Sequence, residues 1–114
     1  HAPIGNILHM CKPHVDLKRY VDYPCEAVNW GILESGVKLV DGRKLFPGKV
    51  VMGGMDDGSP ILISGSQKEL EREVHNILAE NDYPGFILAS DCTLPSDFPY
   101  EKIRIMAKAC ETYK

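Results

Sequence analysis

The chain has 114 residues, of which 13 are Lys or Arg and 16 are Asp or Glu, giving a formal charge of −3. With 44% hydrophobic and 25% charged residues it has the composition of a folded globular domain, and its acidic balance argues against electrostatic binding of nucleic acid. No apolar run approaches the ~18–20 residues of a membrane span, and His1-Ala2-Pro3 opens no signal-peptide pattern. Four cysteines at wide, irregular intervals (Cys11, Cys25, Cys92, Cys110) read as reduced cytoplasmic thiols rather than a disulfide framework. The length suffices for one domain, but a complete eight-stranded α/β barrel needs at least ~200 residues.

Ile4-Gly5-Asn6-Ile7-Leu8 is the first strand candidate, and His14 to Val21, with Val15, Leu17 and Val21 apolar, reads as a helix. Ala27-Val28-Asn29-Trp30 is a second short strand. Gly36 to Phe46 reads as a helix broken or weakened by Gly42, and Pro47-Gly48 as a turn. Lys49 to Gly54 is the third strand, β-branched at its centre. Asp56-Asp57-Gly58-Ser59-Pro60 signals a loop, with Ile61-Leu62-Ile63 packing beneath it. Ser66-Gln67-Lys68-Glu69 is a capping box, in which the serine oxygen accepts from the third helical amide and the glutamate reaches back to the serine amide. Leu70, Val74, Ile77 and Leu78 then form one helix face, which Asn81 to Gly85 ends. Phe86-Ile87-Leu88-Ala89 is continuously apolar, the pattern of a strand buried on both faces. After the Asp91–Pro95 loop, Ser96 or Asp97 caps a last helix with Pro99 in its first turn. Ile103, Met106, Ala107 and Cys110 form that helix's apolar face.

Four strand–helix units of about 28 residues each approach the ~31 per unit of an eightfold barrel. The fold class is therefore α/β with a parallel sheet, as in half of a TIM (β/α)8 barrel, although an open doubly wound sheet satisfies the same alternation. Such folds place reactive groups just past the carboxyl ends of their strands. His9 and Cys11 follow the first strand, two residues apart and so on one side of an extended chain; Cys92 follows the fourth. Imidazole plus two thiolates suits Zn²⁺, with one coordination position left open, provided the two strand ends come together. The same cysteines also fit plain burial, since free Cys behaves as a small hydrophobe. Asp56 follows the third strand and is a candidate for shaping the cleft or acting as a turn residue. Cys110 and Cys25 read as packing, His75 as solvated, and His14 as a surface or cleft-lining residue. Dinucleotide, P-loop, nucleophile-elbow and Cys-x-x-Cys motifs are missing from the sequence.

Taken together in order, these segments resemble the C-terminal part of the uroporphyrinogen decarboxylase superfamily. The resemblance rests on Ile7-Leu8-His9-Met10-Cys11, Val28-Asn29-Trp30, Gly42-Arg43-Lys44-Leu45-Phe46, Lys49 to Asp56 and Gly85 to Pro95. It implies that residues 1–114 are the C-terminal part of a longer barrel domain, supplying its last four strand–helix units. It also implies one of two chemistries. Cofactor-free uroporphyrinogen decarboxylases remove acetate carboxylates from a tetrapyrrole. Methylcobalamin:coenzyme M methyltransferases and their corrinoid relatives use a zinc held by His-x-Cys and a distant Cys.

The pattern at His9, Cys11 and Cys92 is similar to the second branch. The leading expectation is a zinc-dependent methyltransferase that moves a methyl group from methylcobalamin, or a corrinoid protein, to a small-molecule thiol. The alternatives are the decarboxylase and a non-catalytic half-barrel. As an isolated piece the chain is expected to be inactive and to cover its open half as a homodimer.

Overall fold

The computed structural model describes residues 5–113. Four strands, β1 (Ile7–Met10), β2 (Ala27–Trp30), β3 (Val50–Met55) and β4 (Phe86–Ser90), form one parallel sheet in the order β1-β2-β3-β4. Each strand lies beside its neighbour in sequence, which is the winding of a barrel. A doubly wound sheet would reverse its order at a switch point. The α/β fold in alternating strand–helix units is thus consistent with part of a TIM barrel.

Two registers decide what each face of the sheet does. Leu8, Val28, Val51 and Phe86 lie in one row across all four strands, and Met10 pairs with Trp30 on the same side. That side carries the core: Met10, Val28, Trp30 and Val51 pack with Leu17, Leu39 and Phe46. A second cluster joins Met55 to Leu62, Leu70, Val74, Ile77 and Ala109 beneath the helices that follow β3 and β4. The next row, His9, Asn29, Met52 and Ile87, faces the other way. There Ile7 is 62% and Ile87 48% exposed. The expectation that the fourth strand is buried on both faces is therefore corrected: Phe86 and Leu88 pack inward, and Ile87 lines an open face.

The first strand begins later than the sequence suggests. Ile4 lies outside the described residues, and the Asn6 carbonyl accepts from the Glu26 and Ala27 amides before regular pairing starts at Ile7. His9 consequently sits inside β1, not after it. The helix expected over His14–Val21 reduces to a 3-10 turn, Leu17–Tyr20, capped by Asp16, because His14 adopts a left-handed φ of 59°. The helix expected over Gly36–Phe46 breaks into α2 (Leu39–Gly42) and a 3-10 turn (Arg43–Leu45), preceded by α1 (Ile32–Ser35), which Gly36 ends at φ 72°. The α-helix does break at Gly42, as the sequence suggests, and passes into the 3-10 turn. Gly42 lets the chain approach the Trp30 ring, where a Cβ would lie 2.2 Å from Cζ2.

Downstream, α3 (Pro60–Ser64) is capped by Ser59 and buries Leu62. Both hydrogen bonds of the capping box are present at the start of α4 (Gln67–Glu80). In α5 (Tyr100–Thr112), Pro99 is itself the cap residue and no side chain caps the first turn, so neither Ser96 nor Asp97 holds that role. The inward face of α5 also turns from the expected one: Ile105, Met106, Ala109 and Cys110 meet the core, while Ile103 is exposed along a groove beside β4. No helix among the described residues is long and apolar enough to cross a membrane.

Candidate metal centre

A flat sheet with ~4.8 Å between strands would hold β1 and β4 about 14 Å apart. Yet Cys11, just past β1, and Cys92, just past β4, have their sulfurs 3.4 Å apart. Asp91 accounts for the crossing. Its amide donates to the Met55 carbonyl at the end of β3 (2.8 Å). Its carboxylate accepts from the Gly54 amide (2.9 Å) and from the Ile32 amide beyond β2 (3.2 Å). The chain leaving β4 is thereby drawn over the ends of β3 and β2 towards β1. Ser90 Oγ then donates to the Cys92 carbonyl (2.5 Å), which fixes the turn at that cysteine.

The Gly53-Gly54 pair permits this approach. Both residues have positive φ, 149° and 111°, and a Cβ on Gly53 would sit 3.2 Å from Asp91 Oδ1. Burial is the main influence on the Asp91 carboxyl and pushes its pKa up. The two amide donors pull it down, and nearby Asp56 and Asp57 push it up again.

The ligand atoms of His9, Cys11 and Cys92 all lie within 4.8 Å of one another, the one such His/Cys/Asp/Glu group among the described residues. Tetrahedral zinc with Zn–S bonds of ~2.3 Å sets its two sulfurs about 3.8 Å apart. The observed 3.4 Å falls a few tenths short of that edge and far outside disulfide length. All four cysteines are free. The donor set, one imidazole nitrogen and two thiols, therefore fits zinc with a fourth position left for another ligand. The hydrogen bond with Cys92 is the chief reason that the Cys11 thiol is held above its usual pKa. Desolvation, the Cys92 charge and the carboxylates of Glu34 and Asp57 add to it.

On the open face, Asn29 bridges the sheet. Its Nδ2 donates to the Met52 carbonyl (2.9 Å) and the Ser90 carbonyl (3.3 Å), and its Oδ1 lies 2.5 Å from His9 Nδ1. Neither Asn29 nor Asp91 carries a role in the reading of the sequence. The signal for Asn29 was present as a polar residue inside the central apolar strand, where burial demands partners.

Asp56 follows β3 and its Oδ1 accepts from the Gly58 amide (3.0 Å), a turn contact. It also lines a recess of about 230 Å³ with Asp91 and Glu73. His14 is exposed and tied through its amide to the Glu34 carbonyl. Cys25 is buried in the first core cluster and Cys110 packs on the second. His75 is not simply solvated: its Nε2 lies 3.0 Å from the Ala109 carbonyl and its ring meets Tyr113, linking α4 to α5.

Comparison with known families matches residues 1–113 to the family model described as uroporphyrinogen decarboxylase (URO-D). No curated relative matches the chain.

Proposed function

The chain belongs to the uroporphyrinogen decarboxylase family, and from that premise we propose that it serves a zinc-dependent transfer of a methyl group from a methylated corrinoid to a thiol. The observation that carries this reading is the convergence of His9, Cys11 and Cys92 at the carboxyl ends of the outermost strands. Zinc held there would supply a Lewis acid that makes an acceptor thiol ionise at neutral pH. His9 offers a ring nitrogen from a rigid strand. Cys11 and Cys92, which share a hydrogen bond in the metal-free protein, would hold the ion as thiolates. A methylated corrinoid would supply the methyl group to the acceptor thiolate and would keep the carbon–cobalt electron pair. Asp91 and the Gly53-Gly54 pair of β3 hold Cys92 in reach of Cys11. Asp56, in the recess beside Asp91, is assigned to shaping the cleft.

Metal analysis of the full-length protein, combined with an assay of methyl transfer from methylcobalamin to small thiols, tests this. The proposal expects one zinc per chain, lost in Cys92→Ala together with methyl transfer. A zinc-free protein that is fully active, or one that decarboxylates uroporphyrinogen without metal, overturns it in favour of the cofactor-free branch of the family.

A further inference from the structure

We propose that Asn29 is the positioning residue that selects the ligating nitrogen of His9, an assignment that rests on the metal reading above. A carbonyl oxygen can only accept, so the contacts to the Met52 and Ser90 carbonyls require that the NH₂ end of the Asn29 amide point at them. That orientation leaves Oδ1, an acceptor only, against His9 Nδ1 at 2.5 Å. The proton of the neutral ring therefore resides on Nδ1, and Nε2 keeps its lone pair free for a metal.

The arrangement is held in place by the fold. Asn29 occupies the register position beside both His9 and Met52, so one side chain spans from β1 to the carbonyls of β3 and β4. It is almost fully buried, whereas His9 is exposed. A ligating histidine whose other ring nitrogen is fixed in this way binds metal more tightly, and loss of such a partner typically costs 10–100-fold in affinity.

Two measurements test the assignment. In the metal-free protein with its rings neutral, two-bond ¹H–¹⁵N correlations report the tautomer of His9, assigned by the signals lost in His9→Gln. The proton on Nδ1 is expected, and a proton on Nε2 overturns the proposal. The second measurement is zinc affinity by chelator competition, set beside unfolding by urea, in Asn29→Leu and Asn29→Asp.

The leucine variant should bind zinc 10–100-fold more weakly. The aspartate variant keeps the acceptor but loses the two donors. It should recover most of the affinity while remaining less stable than wild type. Affinities that fall in step with stability in both variants assign Asn29 to holding the sheet and overturn the proposal. A wild-type protein that takes up no zinc defeats the metal reading instead, and the tautomer still judges the role of Asn29.

Discussion

Asp91 is only 2% exposed, and its two carboxylate oxygens serve amides from different segments of chain. Asn at this position can accept through one atom only, leaving the other amide facing a donor. We expect Asp91→Asn to cost about 1–3 kcal/mol in urea unfolding. Zinc affinity should fall with it, because the loop that presents Cys92 is released. Gly42 is a second single-residue determinant. A Cβ there meets Trp30 Cζ2 at 2.2 Å and Cη2 at 2.6 Å. Gly42→Ala should destabilise by about 1–3 kcal/mol and shift the emission of Trp30, the chain's one tryptophan. His9, Cys11 and Cys92 stood out in sequence because they lie at predicted strand ends and match the pattern of the zinc-binding branch of the family, while the spacing alone fitted plain burial equally well. Asn29 and Asp91 were less legible, since their roles depend on which carbonyls and amides the fold brings near them.

At the level of elements, α4 and the 36–46 segment behave differently for physical reasons. α4 has local signals that agree: a cap, a first-turn glutamate and one apolar face, all realised in the structure. Segment 36–46 has apolar residues at helical spacing, but Gly36 must turn left-handed and the close approach at Gly42 follows the Trp30 ring, so tertiary contact overrides periodicity. Ser66→Ala should cost about 1 kcal/mol by loss of the cap.

The Glu69 carboxyl is held below its usual pKa, first by the Ser66 amide and next by the Ser66 hydroxyl. A depressed carboxyl contributes stability that is present above its unfolded-state pKa and lost as pH falls through the folded-state value. Glu69→Gln should therefore lower the melting temperature relative to wild type at neutral pH. The difference should shrink towards zero as the pH drops below the carboxylate range. Circular dichroism melts across that range check this, and a difference independent of pH would contradict it.

Across the described residues, one face of the sheet is covered by helices and the other is open, with Ile7 and Ile87 exposed on it and no described strand pairing with the outer edges of β1 and β4. The parallel direction of the strands was legible from the alternation of units, whereas their order, which the alternation left open between a barrel and a doubly wound sheet, was implied only by the family resemblance. The contacts that hold the β1 and β4 ends together, those of Asp91 and Asn29 across the strands, were not legible, since they depend on which amides and carbonyls the fold assembles. Expressed by itself, the 114-residue chain is predicted to self-associate through this open face. Light scattering that finds a stable monomer over a wide concentration range would contradict that expectation.

His9, Cys11 and Cys92 are proposed to hold zinc with a position open to a thiol. Zinc-edge X-ray absorption on the full-length protein tests this proposal most directly. One nitrogen from His9 at ~2.0–2.1 Å and two sulfurs at ~2.3 Å are expected, with a third sulfur appearing when the acceptor thiol is added. A zinc shell without sulfur, or one whose sulfur count does not change with thiol, would contradict it.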